Sequence, residues 1–240
     1  TVNIYIKDNE ILKANIIIGE NYEGSKIAFS KRDFKNLKLY SNNNSLKIKG
    51  RLGDIPAINI KKPFTGLNII QIESEMNYVD YEGLLKFEVF SRKKGYRDLI
   101  KIHKDKNYPE NFVESYKRYA KSLVSVNTFD GSDVDTNMEL EFIFLDNPIK
   151  NLDEPKKILL EYQNKILTNH QVSIMSLKDN YYKRDYTKTN NRGYIEIFFR
   201  EDTKYLIESV VIIEGSNKKK NNYAKWHSLW ASYTLKTPKK

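Results

Sequence analysis

Short runs of β-forming residues recur along most of this chain, and turn-forming residues separate them. The run from Met138 to Pro148 shows the pattern, because it is rich in β-forming residues and ends at proline, which has no amide hydrogen for a strand ladder. Runs this short, at a spacing of roughly 8 to 12 residues, are typical of antiparallel sandwiches. The spacing therefore predicts an all-β protein.

The first part of the chain predicts strands followed by a helical insertion. From Tyr81 the apolar residues adopt helical spacing up to Lys93, Lys94 and Gly95, the basic last turn and glycine C-cap of a helix. A second helical stretch is predicted over 112–123, since a strand there accounts for fewer of the apolar positions. The predicted strands are Val2 to Ile6, Ile11 to Ile18, Leu37 to Tyr40, Leu46 to Lys49, Ala57 to Ile60, Leu67 to Glu73 and Leu123 to Val126.

The second part predicts about seven short strands, which is the size and strand count of an immunoglobulin-like sandwich. We therefore predict two tandem antiparallel β-sandwich domains, residues 1–135 and 136–240, with a helical insertion at about 81–121 in the first. The seven strands are Met138 to Leu145, Lys157 to Tyr162, His170 to Leu177, Tyr181 to Thr187, Tyr194 to Phe199, Tyr205 to Ile213 and Ala224 to Leu235.

Composition narrows the function classes. The 240 residues carry 41 Lys and Arg against 31 Asp and Glu, a formal charge of +10. The lysines are scattered rather than gathered on a basic helix, so we expect no nucleic-acid partner. No apolar run approaches the roughly 20 residues of a membrane-crossing helix, so we expect a chain that does not span a membrane. The absence of cysteine excludes thiolate metal sites, disulfides and cysteine nucleophiles.

No enzymatic signature stands out, and we predict that the protein is not an enzyme. The sequence has neither a Gly-x-Ser-x-Gly elbow nor a phosphate-binding glycine loop. Glu139 and Glu141 share a strand face and could act as paired carboxylates. A solvent face opposite Met138, Leu140 and Phe142 is the favoured interpretation of this pair.

Two further patterns have a structural and a functional interpretation. Asp130 to Asp135 is rich in oxygen ligands for calcium, but its order does not match an EF-hand, and a plain turn is favoured. Trp226 and Trp230 lie four residues apart on a predicted strand and share a face. Core or interface packing is favoured for them over a ligand platform.

Several stretches also carry a family pattern in order. They are Glu114 to Leu123, followed by Glu139-Leu-Glu141 and Asn147-Pro148; Tyr162 to Val172; Thr189 to Ile195; and Trp226 to Leu235. Together they resemble the secreted bacterial family labelled domain of unknown function 4198, some members of which are called NikK-like because they accompany nickel or cobalt uptake systems. Ile166 stands where the family has proline, and Asn190 where it has aspartate. The family's amino-terminal histidine beside an aromatic residue has no counterpart in Thr1 to Lys7.

The resemblance implies a non-enzymatic binding or accessory protein of metal or metal-complex uptake, of the nickel or cobalt type. It implies a periplasmic or secreted location, a divalent transition metal as ligand, and an outer-membrane receptor or transporter as partner. The start at Thr1 in a strand-like pattern and the lack of cysteine also favour secretion. The alternative is a structural or adhesive interaction module without a small-molecule ligand.

The candidate metal ligands are His103, His170 and His227, because imidazole suits nickel and cobalt. None of the three has the spacing of a local metal motif, so a site requires the fold to bring them together. The positive charge repels free cations. We therefore expect weak or no binding of free metal ions, and an anionic metal complex or another protein as the ligand.

Overall fold

The structure is a computed structural model that describes residues 2–7, 11–20, 22–42, 44–215 and 224–239. The chain is mostly β-strand, as predicted, and none of its described helices is long and apolar enough to cross a membrane. The helices are α1 (Leu85–Lys93), α2 (Leu99–Asp105) and a short 3-10 helix (Lys31–Asp33). The strands are β1 (Val2–Lys7), β2 (Ile11–Glu20), β3 (Glu23–Ile27), β4 (Phe34–Ser41), β5 (Asn44–Lys47), β6 (Ile58–Lys61), β7 (Gly66–Ser74), β8 (Asn77–Tyr81), β9 (Phe112–Val126), β10 (Leu140–Phe144), β11 (Lys156–Tyr162), β12 (Lys165–Ile166), β13 (Gln171–Lys178), β14 (Tyr181–Lys188), β15 (Tyr194–Ile197), β16 (Lys204–Glu214) and β17 (Trp226–Lys236).

A nine-stranded sheet organises the molecule, in the order β14-β13-β16-β17-β9-β7-β4-β5, with β8 pairing to β9 beside β7. Its pairs are antiparallel except β17 with β9, which is parallel and sets Trp226 opposite Glu114. The prediction of a wholly antiparallel architecture is wrong for this pair. The β17–β9 pair also joins strands from both sides of the boundary predicted between residues 135 and 136, so the tandem division stays a prediction.

A smaller sheet of β10, β11, β12 and β15 packs on one face of the large sheet. Because strand side chains alternate between faces, Leu229, Ala231 and Tyr233 of β17 all point toward it. They form one core with Leu140 and Phe142 of the smaller sheet. Among the described residues, this core holds the largest group of buried apolar side chains, and burial of each large side chain contributes roughly 1.5 to 3 kcal/mol.

Two separate structures cover the opposite face of the large sheet. At one end, the sheet of β1, β2, β3 and β6 buries Leu12 and Ile58 against Ile70 of β7. At the other end, α1 and α2 pack Phe87 and Leu99 against residues of β16 and β17. A cleft lined by α1, by the large sheet and by one residue of β2 lies on this face.

The helix predicted over 112–123 is wrong, because these residues belong to β9 (Phe112–Val126). Both faces of β9 are covered: Tyr119 and Leu123 are buried on one face and Ala120 on the other. A strand buried on both faces carries apolar residues on both, so it loses the simple alternation of apolar and polar residues. The spacing of its apolar residues can then resemble that of a helix. The helix predicted after Tyr81 is confirmed as α1, and each of the seven strands predicted from Met138 onward overlaps an observed strand.

Candidate functional site: a basic cleft beside helix α1

The candidate site is a cleft of about 390 Å³ between α1 and the face formed by β13, β14, β16 and β17, which we call the basic cleft. Three lysines of the α1 segment line one side, Lys86, Lys93 and Lys94. Arg184 and, among the described residues, one carboxylate, Glu208, lie on the strand side. The surplus of positive side chains favours an anionic occupant.

The helical wall of the cleft is fixed by aromatic packing and one backbone contact. Phe90 stacks on Trp230 of β17, with ring centroids 5.3 Å apart and planes 11° from parallel. Lys94 lies over the same indole, its Nζ 4.6 Å from the ring centroid. Gln171 donates from Nε2 to the Lys93 carbonyl at 2.8 Å, which joins the end of the helix to β13. The lysines therefore project from a backbone held in place.

Arg184 is anchored in the floor of the cleft. Its Nη1 donates to Ser173 Oγ at 2.7 Å and to Glu208 Oε2 at 3.2 Å. This pair is only partly exposed, so it is screened less by salt than a surface pair. Glu208 offsets the charge of Arg184, and Lys86, Lys93 and Lys94 are the other charged side chains of the described lining.

The structure buries His103 completely, in α2, and both ring nitrogens have partners. Nδ1 accepts a hydrogen bond from the indole Nε1 of Trp226 at 3.0 Å. Nε2 therefore carries the proton and donates to the Pro109 carbonyl at 2.9 Å. The ring packs against Phe112 and supports the helical core.

His170 and His227 lie elsewhere on the sheet. His170 donates from Nε2 to the carbonyl of Val210, a residue of the cleft lining, and burial lowers its pKa. His227 follows Trp226 on β17 and so projects from the opposite face to the one that meets His103. Its Nδ1 contacts the Ser115 hydroxyl at 3.0 Å, and burial lowers its pKa as well.

Within the described residues, no group of three or more histidine, aspartate or glutamate side chains is placed to hold a metal ion. His103 and His227 lie on opposite faces of the large sheet, and His170 packs against Tyr96. The assignment of these histidines as metal ligands stays a prediction.

The three aspartates of the acidic loop face different partners rather than one shared centre. Asp130 is exposed and pairs with Lys150. Asp135 accepts from the amide of Asn137 at 2.8 Å. Asp133 is buried and pairs with Lys121. The turn interpretation describes Asp130 and Asp135, whereas Asp133 is part of the core.

The paired carboxylates Glu139 and Glu141 differ in environment. Glu139 is half-buried and accepts from the Tyr119 hydroxyl at 2.8 Å. Glu141 is 1% exposed and binds the ammonium of Lys121 at 2.9 Å. The solvent-face interpretation is therefore wrong for Glu141, because a lysine from the facing sheet supplies an opposite charge inside the core.

The two tryptophans differ in their surroundings, although core or interface packing was the favoured interpretation for both. Trp226 is a core residue, packed against Phe87 and His103. Trp230 also packs, on Phe90, but it lines the basic cleft. No pattern in the sequence places Arg184 in the cleft, whereas the lysines at the end of α1 were visible as a basic last turn.

A family model described as Domain of unknown function (DUF4198) matches residues 5–212. The chain therefore belongs to this family. No curated protein matches the chain.

Proposed function

From its membership of the DUF4198 family and from the basic cleft, we propose that this protein is a non-enzymatic binding protein for a small anionic metal complex. The observation that carries the proposal is the group of Lys86, Lys93 and Lys94 facing Arg184 across a cleft in which Glu208 is the one carboxylate among the described residues. The resemblance to proteins of nickel and cobalt uptake suggests the metal and a periplasmic or secreted location. An outer-membrane receptor or transporter would then be the partner that receives the complex.

The size of the basic cleft suits a small ligand. Its volume of about 390 Å³ lies at the lower end of the roughly 300 to 1,000 Å³ usual for small-molecule pockets. Trp230 offers a flat apolar surface beside the basic groups. An organic polycarboxylate, such as citrate wrapped around a metal ion, matches this combination of charge and surface.

A free metal ion is a poor match for the same cleft. Lysine and arginine offer no acceptor for a cation, and their charges repel it. A metal complex with net negative charge is instead attracted by these lysine and arginine charges. The metal ion inside the complex is held by the organic ligand and not by the protein. The protein then needs no cluster of histidines to bind the metal.

We propose that no chemical step accompanies binding. Ser173, which lines the cleft, accepts a hydrogen bond from Arg184 and so faces a cation rather than a general base. Lysine ammonium groups and a guanidinium instead position an anion by charge and hydrogen bonds.

Titration calorimetry with nickel citrate, citrate alone and nickel chloride tests this proposal. Nickel citrate is expected to bind one to one, and nickel chloride weakly or not at all. The double variant Lys86→Glu, Lys94→Glu should weaken binding by at least roughly tenfold, equal to about 1.4 kcal/mol. Lys49→Glu is the matched control, an exposed lysine outside the cleft that should leave affinity unchanged. Equal affinity in the cleft variant and the control would contradict the proposal.

One observation favours the second candidate, a structural or adhesive module. Tyr181, Tyr182 and Tyr186 project from β14, the edge strand of the large sheet, and are 74%, 49% and 57% exposed. Exposed aromatic side chains on a sheet edge can pair with another chain. This candidate gains support if no probe binds and if sedimentation shows self-association that the double variant Tyr181→Ser, Tyr182→Ser abolishes.

The division of the chain into two tandem immunoglobulin-like domains also remains a proposal.

A further inference from the structure

A lysine and two carboxylic acids meet in the core between the large sheet and β10. Lys121 of β9 places Nζ 2.9 Å from Asp133 Oδ1 and 2.9 Å from Glu141 Oε1. The side chains of these three residues are 1%, 0% and 1% exposed. Charged residues are buried this fully almost only when they are paired, and this cluster lies outside the basic cleft.

The charges of this cluster determine which group holds a proton. One ammonium with two carboxylates would leave a net negative charge in a core closed to solvent, which is strongly unfavourable. Burial raises the pKa of Asp133 and outweighs the nearby Lys121. Glu141 accepts from the Thr136 amide and hydroxyl and from the Met138 amide, each at 2.9 Å, which is one donor more than the two backbone amides that donate to Asp133. The proton that balances the charge of the cluster is therefore assigned to Asp133, the acid whose pKa burial raises.

Two backbone amides hold the Asp133 carboxyl in place. The amide of Val134 donates to Oδ1 at 2.8 Å, and the amide of Phe144 donates to Oδ2 at 2.9 Å. Two amide donors aimed at the carboxyl oxygens would stabilise negative charge that develops there. The nucleophile would be Lys121 Nζ, which contacts Asp133 Oδ1. The carbon that it would attack, Cγ, is bonded to that oxygen, so the two reacting groups are already neighbours.

Aromatic side chains close the cluster from water. The Tyr233 ring is fully buried, with its centroid 5.5 Å from Lys121 Nζ, and Phe144 packs edge-on against it. Burial holds the pKa of Tyr233 far above its ordinary value, so it is a neutral phenol. Its hydroxyl has no hydrogen-bond partner of standard geometry among the described residues. A site closed to bulk solvent protects the product amide from hydrolysis.

We propose that Lys121 and Asp133 condense to an intramolecular amide, an isopeptide bond, with Glu141 as the proton carrier. Glu141 accepts a proton from the ammonium, and the neutral amine attacks Cγ of the protonated Asp133 carboxyl. A C–N bond forms, nitrogen loses a second proton, and the hydroxyl leaves with it as water when the C–O bond breaks. The amide keeps one hydrogen on nitrogen, and Glu141 keeps one proton. No oxidant, reductant or co-reactant is consumed.

The product would tie β9 of the large sheet to the segment that precedes β10 in the facing sheet. A covalent ring from residue 121 to residue 133 restricts the unfolded chain and so favours the folded state. This modification is independent of ligand binding in the cleft, and either can hold without the other.

Intact mass spectrometry of the denatured protein tests the bond directly. The expected mass is lower by one water than the mass required by the sequence. Trypsin should then leave the peptide Tyr119–Lys150 uncleaved after Lys121. Chymotryptic cleavage after Phe129, inside the ring, should leave the two pieces joined. A full mass, or a deficit that fragment spectra place on other residues, would overturn the proposal.

Two variants identify the roles of the acids. Asp133→Asn should condense with loss of ammonia in place of water, because the leaving group is then the amide nitrogen. Glu141→Gln should give the full mass, with a native near-ultraviolet circular dichroism spectrum showing that it folds. Glu139→Gln, two residues away, is the control and should retain the deficit of one water. If Glu141→Gln does not fold, the masses of the native protein and of Asp133→Asn still show whether the amide bond to Lys121 forms. Persistence of the deficit in a folded Glu141→Gln would exclude Glu141 as the proton carrier.

Discussion

The indole nitrogen of Trp226 donates a hydrogen bond of 3.0 Å to Nδ1 of His103, inside the core that joins the helices to the large sheet. The bond fixes the imidazole tautomer and uses the one ring nitrogen that has a lone pair. His103 therefore contributes to the stability of the helical region, and Nδ1 is not available to a metal ion unless this bond breaks.

Replacing His103 by leucine should destabilise the fold by about 1 to 3 kcal/mol, because the buried Trp226 N–H loses its acceptor. The free energy of unfolding in urea, followed by tryptophan fluorescence, measures the loss. Lys101→Ala, at an exposed position of the same helix, should change it by less than about 0.5 kcal/mol. Equal stability of the two variants would contradict the structural role of His103.

The pKa of His170 is lowered from 6.5, chiefly by burial and further by Lys188. The unfolded chain therefore binds a proton at its ordinary pKa while the native state resists one, so stability should fall as pH drops through about 6.5. His170→Gln can keep a donor to the Val210 carbonyl and should flatten this part of the pH profile. Urea unfolding at several pH values between 7.5 and 5 compares the two proteins, and profiles of identical slope would refute the expectation.

Glu114 should make the stability of the fold depend on pH in the opposite direction to His170. Its pKa is raised, chiefly by burial, although the hydroxyls of Ser228 and Tyr81 donate to it. The native state therefore binds this proton more tightly than the unfolded chain, so this group's contribution to stability is lost as pH rises above 4.5 through the higher folded pKa.

Glu114→Gln removes this titration. The difference in unfolding free energy between native protein and variant should shift in favour of the variant as pH rises from about 4.3 to neutrality. A difference that stays constant over that range would show that burial does not perturb Glu114.

Strand positions could be predicted from the sequence where one face of a strand is exposed or where turns bound it. The seven strands from Met138 onward were located because turn residues separate them. β9 was mistaken for a helix because both of its faces are buried. β3 was missed because the side chains of Glu23–Ile27 are mainly exposed and show no apolar alternation.

The clustered side chains could not be predicted, because they come from distant parts of the chain. Lys94 and Arg184 meet at the cleft only through the packing of α1 on the sheet. Lys121 and Glu141 belong to facing sheets, and no local spacing reveals that pair. The lysines at the end of α1 were visible as a helix terminus, but the sequence shows nothing of what they face.

The most direct measurement of ligand binding in the basic cleft uses the chain's two tryptophans. Trp230 lines the cleft, whereas Trp226 is buried in the helical core. In a 15N correlation spectrum, titration with citrate and then with nickel citrate should shift or broaden the Trp230 indole signal to saturation and leave Trp226 unchanged. Trp230→Phe assigns the two signals. If neither indole responds, or if both respond equally, the cleft does not bind this class of anion.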